Sequence, residues 1–382
     1  MQSHSDIIIV GGGPVGATLA LALADTPFSV QVLEARTDLS RATHKRTLAL
    51  SYNSRLILER LGIWDQLQAV TAITDIHISQ RGGLGMSQLT AAEESLPALG
   101  YVVDYAELDA ALHDALRQTA TQVVTGTRVT DIQTNTGYAQ VQATRGNDTH
   151  HVTTRLAVVA DGGAGQAQRV TQEYDQHALL ATVTTELAHN GRAFERFTPE
   201  GPVALLPSGT GFALVWTGTP ERVAALLALN DDDFLHALHQ HFGDRVGQFL
   251  TVSARSSFPL VLRYAKNTVA PHQVLIGNAA QTLHPVAGQG FNLGLRDAWE
   301  LAQIVRDSTK HNLGDARMLQ QFQSQRRSDT GSSIFFTDML VRLFSNNQPV
   351  LKHARSLGLM ALQYLPPAKH FVARRMIFGA RA

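Results

Sequence analysis

The hydrophobic pattern changes period several times along the chain. Asp6 to Val10 is a compact apolar, β-branched run that predicts a buried parallel strand, Ala17 to Ala24 predicts a helix, and Ser29 to Leu33 a second strand. Helical spacing returns in Ser51 to Leu61, with Leu56, Ile57 and Leu61 on one side, and in Tyr105 to Gln118, with Leu108, Leu112 and Leu116 at i, i+4 and i+8. Between them, Ile73 to Ser79 alternates as a strand with one exposed face does. Further strands are expected at Thr121 to Val124, Val129 to Gln133, Ala139 to Thr144 and Leu156 to Ala160.

From about His177 to Leu262 alternation dominates. Strands are expected at Leu180 to Glu186, Val203 to Leu206, Gly211 to Trp216 and Val252 to Phe258, with one helical interlude at Asp232 to Phe242. Val274 to Gly277 is again a short buried strand, and a helix runs from Gly290 through Val305. The expected fold class is α/β: a split Rossmann-like nucleotide-binding domain, an inserted antiparallel-sheet substrate domain, and a C-terminal helical segment. Its nucleotide-binding parts are expected at 1–71, 101–175 and 266–330, the sheet parts at 72–100 and 176–265, and the C-terminal helices at 331–382.

Composition removes several function classes. Apolar residues make up 44% of the 382 and charged residues 17%, which fits a chain that buries a large core and excludes wholesale disorder. Lys+Arg and Asp+Glu are 32 each, so no overall positive field draws a nucleic-acid backbone. With no cysteine there are no disulfides, Cys-ligated zinc sites, iron–sulfur clusters or thiolate nucleophiles. His150-His151 and the pair His236/His239 lack a matching carboxylate frame, so no metal site is expected. Neither a signal-peptide pattern nor a bilayer-spanning run is visible, and the expected location is cytoplasmic.

The chemistry is concentrated in glycine-rich turns. Gly11-Gly12-Gly13-Pro14-Val15-Gly16 stands between the first strand and first helix as GxGxxG. Gly11 allows the tight turn, Gly13 lets backbone approach a pyrophosphate, and Gly16 lets helix and strand pack closely. Glu34 ends the second strand 18 residues after Gly16, near the ~20 expected for an acid that accepts ribose hydroxyls. Together these predict a dinucleotide site, NAD or FAD, followed by a polar, basic loop from Arg36 through Lys45-Arg46. A second glycine-marked helix start, Gly277 through Asn292, offers free N–H groups and positive potential to another anionic centre. His284 lies in this loop and suits a structural role or a substrate contact.

At this point the chain resembles the single-component FAD-dependent aromatic hydroxylases of the p-hydroxybenzoate hydroxylase type. The likeness rests on Gly11 to Gly16 with Glu34, on Arg46, on Asp161-Gly162, and on Gly277 through Asp297; the stretch Gly191 to Thr198 with Gly201-Pro202 resembles the ubiquinone-biosynthesis branch. Asn278 and Gln281 stand where the broad family usually has Asp and His. The resemblance implies FAD held by Gly11, Gly13, Gly16, Glu34, Arg36, Arg46, Asp161, Gly277 and Asn278. Gly288, Gln289, Gly290, Phe291 and Asn292 would stabilise negative charge on the reduced ring. It also implies NAD(P)H as reductant and hydroxylation by O2, through a flavin C4a-hydroperoxide, of a polyprenylated phenol of the 2-polyprenyl-6-methoxyphenol type. No general base stands out in the sequence. The other readings are a hydroxylase of a soluble aromatic and a non-catalytic flavin-binding scaffold of a biosynthetic complex.

Met339 to Ala382 holds seven Lys/Arg and no Asp or Glu, interleaved with Leu343, Leu357, Met360, Tyr364, Phe371 and other apolar residues. Such a segment suits an anionic membrane surface, or else covers the nucleotide domain with its apolar face. Expected partners are a lipid-like phenol, O2, a membrane surface and a ubiquinone-biosynthesis complex, with no nucleic acid.

Overall fold

The structure, a computed structural model, describes residues 2–39, 46–165, 168–344 and 349–380. Lys45 of the basic loop and Arg381 of the C-terminal segment lie outside these residues.

The chain opens with β1 (His4–Val10), α1 (Pro14–Ala22) and β2 (Val30–Leu33). It continues through β3 (Thr47–Ser51), α2 (Tyr52–Arg60), β4 (Thr71–Ile73), β5 (Asp75–Gln80) and β6 (Met86–Thr90). Then come β7 (Gly100–Asp104), α3 (Tyr105–Leu116), β8 (Gln122–Val124), β9 (Thr127–Thr134), β10 (Ala139–Arg145) and β11 (Asp148–Val159). Next are β12 (Arg169–Thr185), β13 (Arg192–Thr198), β14 (Gly201–Ser208), β15 (Gly211–Gly218), α4 (Pro220–Ala228) and α5 (Asp231–Phe242). β16 (Phe249–Val252), β17 (Ser256–Ala265), β18 (Val269–Ala270), β19 (Gln273–Leu275) and β20 (Gln281–Thr282) follow. Four helices complete the described chain: α6 (Gln289–Arg306), α7 (Ala316–Phe344), α8 (Pro349–Tyr364) and α9 (Pro366–Phe378).

The first sheet has a parallel centre, β19-β11-β1-β2-β8, built from three separated stretches of sequence. On one face its buried residues Ile7, Ile9, Leu156, Val158 and Val274 meet α1, α3 and α6 in the largest apolar cluster. A second, mostly antiparallel sheet runs β20-β17-β12-β15-β14-β13-β5-β6. One of its faces is sealed by α4 and α5 over Phe212, Trp216, Phe234 and Phe242. The other faces β3 and the start of α6, with α7 and α9.

Local chemistry explains the boundaries. Ser51 caps α2 by accepting the Ser54 N–H, and Asp104 caps α3 by accepting from Ala106 and Glu107. One expectation is corrected. The strand expected at Val252 to Phe258 is broken at 253–255, where the Ser253 hydroxyl takes the Thr182 N–H and interrupts the ladder. The helical interlude expected at Asp232 to Phe242 is α5, capped by Asn230 accepting the Asp233 N–H; the helix before it, α4, capped by Thr219, was not expected.

Candidate active site

The opening turn is built for close approach. Gly11 has φ +101°, and a Cβ there would lie 2.6 Å from the Ala160 carbonyl oxygen; one on Gly16 would lie 2.1 Å from the Gly11 carbonyl oxygen. A Cβ on Gly13 would meet nothing within 4 Å, so this residue borders open groove. α1 begins at a Gly13 cap with Pro14 next and no acidic residue in its first turn, leaving its N-terminal N–H dipoles uncompensated. That is the cradle a diphosphate fits.

Glu34 is buried behind this turn. Its Oε2 accepts from the Gly12 N–H at 2.6 Å, and its Oε1 accepts from the Arg36 N–H at 2.7 Å and from Arg36 Nε at 3.2 Å. One acceptor position is left for a hydroxyl. Arg36 lines the groove, but its Nη1 also donates to Asp109 Oδ2 at 2.8 Å, so the guanidinium braces Glu34 against α3 rather than standing ready for a phosphate. Arg46 is exposed at the rim, its guanidinium carbon 4.6 Å above the Tyr105 ring. Asp161 holds its own turn, accepting the Gly163 N–H at 2.9 Å.

The late glycine loop borders the same groove: Gly277, Asn278, Gly288, Gly290 and Phe291 line it together with Gly11, Gly13, Glu34 and Asp161. Gly277 sits at φ +58° against Val15, and its N–H is accepted by Asp297 Oδ2. That same oxygen accepts from Gln281 Nε2 at 2.7 Å, so Gln281 is a structural ligand of Asp297. Gly288, left-handed at φ +60°, caps α6, whose first turn is free of acidic residues.

Two residues expected at the ring turn aside. Asn292 Oδ1 accepts from the Ser51 N–H and the Ser54 hydroxyl, while Nδ2 donates to the Ala49 and Gly288 carbonyls; every position of the amide is used within the protein. Gln289 donates to the Met376 carbonyl at 3.2 Å and binds α9. Neither lines the groove, and α6 presents backbone N–H groups there instead. His284 is also structural: its Nδ1 accepts from the Val286 N–H, burial lowers its pKa to about 4, and it borders neither cavity.

A second, apolar chamber adjoins the groove and shares Ala49, Leu206, Val215, Pro285 and Gly288 with it. Its floor is the face of the second sheet opposite α4 and α5. Strand parity puts Ala193, Glu195 and Phe197 of β13 on that floor, with Ile78 and Ala204 as the direct neighbours of Glu195 on β5 and β14. The roof is the start of α6 with Phe336 and Leu340 of α7 and Met376 and Ile377 of α9. Glu195 is the charged residue sequence reasoning missed; the signal was an acid at an inward position of an otherwise apolar strand.

The C-terminal helices cover this chamber and β6, and α9 also packs on the nucleotide-type domain through Tyr52 of α2 and Gln289 of α6. Ala373 and Ile377 pack on Leu89 and Leu99, Lys369 pairs with Glu93 at 2.6 Å, and Gln363 accepts the Gln88 N–H. Leu357, Tyr364, Leu365 and Phe371 remain 55–76% exposed on the outer side.

A family model described as "FAD binding domain" matches residues 4–330. The chain is 35% identical to Ubiquinone hydroxylase UbiL of Rhodospirillum rubrum, over 97% of this chain and 89% of that one. It is 32% identical to the 3-demethoxyubiquinol 3-hydroxylase of Escherichia coli, over 94% and 95%. Its fold is similar to that of the p-nitrophenol 4-monooxygenase PnpA of Pseudomonas putida, with a TM-score of 0.80 across all of both chains at 15% identity.

Proposed function

Since the chain belongs to the FAD-binding domain family of flavin-dependent monooxygenases, we propose that it hydroxylates the ring of a polyprenylated phenol in ubiquinone biosynthesis, using NAD(P)H and O2. Gly11, Gly13 and the start of α1 would hold the FAD diphosphate, Glu34 a ribose hydroxyl, and Gly277-Asn278 with the N–H groups of Gly290 and Phe291 the flavin end. Bound FAD accepts hydride from NAD(P)H and activates O2. The chain's own task is to seat the phenol beside the ring and keep bulk water away.

The observation that carries this reading is the apolar chamber meeting the groove at Gly288. An aromatic head with a hydrocarbon tail suits such a lining. The outer side of α8 and α9 supports the tail's origin in lipid: Leu357, Met360, Tyr364 and Phe371 form an exposed apolar band, with Arg374 and Arg375 beside it on α9. Among the described residues no helix is long and apolar enough to cross a membrane, so contact would be peripheral.

Oxygen uptake with NADH and NADPH, measured across phenols with no prenyl group and with one to several, tests the reading. Uptake coupled to one added ring oxygen should rise with prenylation. Hydroxylation of unprenylated aromatics alone would overturn the substrate assignment, and bound flavin that neither NADH nor NADPH reduces would point to the scaffold.

A further inference from the structure

We infer that Glu195 is the catalytic residue that accepts the proton of the substrate's phenolic hydroxyl. The inference rests on the phenol reading above. In the chamber, Glu195 is the one Asp, Glu, Lys, Arg, His or Tyr among the described residues that form the lining. No hydrogen bond or ion pair joins its carboxyl to any described residue, and the half-buried residue lines the chamber. Its row across the sheet is apolar on both sides, Ile78 and Ala204, and the basic residues of its own strand, Arg192 and Arg196, have the opposite parity. The roof facing it, from Pro285–Asn292, α7 and α9, contributes no titratable side chain to the chamber.

A half-buried carboxyl in an apolar lining, without a partner among the described residues, is costly. Burial alone pushes this one up to about 7, with no neighbouring charge contributing, and that is where a general base works best at neutral pH. No described residue of the chamber satisfies it, and a ligand's hydroxyl can. A phenol whose ring lies at the Gly288 end of the chamber can donate its O–H to the carboxylate. As oxygen transfers to the ring, the phenolic O–H bond breaks, a Glu195 O–H bond forms, and the electron pair left on the phenolic oxygen raises electron density at the ortho and para carbons. When the hydroxylated carbon later loses its hydrogen as a proton to water, the ring regains aromaticity and Glu195 returns its own proton to the phenolic oxygen. The oxygen atom and reducing equivalents come from O2 and NAD(P)H, as the family's reaction supplies them.

The test uses oxidised holoenzyme without NAD(P)H, so it reads binding rather than turnover. The probes are 2-(3-methylbut-2-enyl)phenol and its methyl ether, titrated by flavin fluorescence across pH. A hydrogen bond to an ionised acceptor predicts that wild type prefers the phenol over the ether by roughly 10-fold or more, with the preference fading as pH falls below about 7. Glu195→Gln should cut that preference several-fold and flatten its pH dependence, and in turnover it should lower kcat and remove the acid limb, with Glu195→Asp recovering part of both. Equal preference for phenol and ether in wild type would overturn the inference, as would an unchanged pH dependence in E195Q. Because the wild-type pH series needs no variant, poor folding of E195Q leaves the test intact. If only unprenylated phenols are hydroxylated while the E195Q effects persist, the prenyl assignment fails and Glu195 stands; the reverse pattern removes Glu195 alone.

Discussion

Asn292 on α6 accepts the backbone N–H of Ser51 at 2.8 Å, joining the helix that borders the groove at Gly290 and Phe291 to the strand that enters the chamber wall, 241 residues away in sequence. With the Ser54 hydroxyl and the Ala49 and Gly288 carbonyls, this one amide sets the position of the α6 N-terminus. Asn292→Ala should lose about 1–3 kcal/mol, since it strands buried groups. Asn292→Asp should cost more, because it sets a carboxylate oxygen against two carbonyl oxygens. Urea unfolding and flavin content of the purified variants check both, and equal stability of the two would contradict the donor–acceptor assignment.

The glycines of the opening turn should separate by role. Gly11→Val places atoms against the Ala160 backbone and should prevent normal folding. Gly13→Val enters empty groove, so the fold should persist while FAD retention drops sharply. Circular dichroism with the flavin-to-protein ratio distinguishes the two outcomes.

Asp329 on α7 is buried between Arg296 Nε at 2.8 Å and Arg326 Nη1 at 2.8 Å, while Arg326 Nε reaches Asp297 at 2.7 Å. Asp329→Asn leaves two guanidinium groups with one carboxylate in the interior. The expected loss is about 3–5 kcal/mol in chemical denaturation, and a loss under 1 kcal/mol would show that these charges are hydrated.

Burial, joined at His241 by the positive charges of Arg81, Arg222 and Arg196, holds His241 and His284 neutral, each with a pKa lowered to about 4. For both, the unfolded chain takes up protons first. Their stabilisation is full above pH ~6.5 and is lost as pH falls toward about 4, each contributing up to about 3 kcal/mol. Melting temperature should fall across that window, and His241→Gln should make the fall shallower. A flat profile from pH ~6.5 to ~4.5 would exclude this account.

Leu357→Glu with Phe371→Glu should reduce co-sedimentation with anionic vesicles severalfold at low salt, with little change in melting temperature, because both side chains are exposed. Unchanged sedimentation would remove the membrane from the proposal.

How far the sequence could be read follows from the same residues. The turn at Gly11 and Gly16, with Glu34 buried behind it, was legible because close backbone approach leaves glycine at fixed spacing between strand and helix. The directions of Gln289 and Asn292 were not, since the first turn of a helix points side chains to every side and only its N–H groups share one direction. Glu195 was hidden for a related reason. Alternation gives the parity of β13, but whether the inward face meets a packed core or a chamber depends on residues 285–292 and 373–377. The break at 253–255 turned on a single serine hydroxyl replacing a ladder carbonyl.

β11 pairs with β1 on one side and with β19 on the other, so the central sheet draws neighbours from residues 4–10, 148–159 and 273–275. During synthesis, the ring-facing half of the groove cannot form until α6 has emerged, long after the diphosphate turn is made. Contacts of such high sequence separation are late and slow to form. An emerging polypeptide should therefore capture its flavin only after α6, residues 289–306, has emerged, with the second sheet already folded alongside.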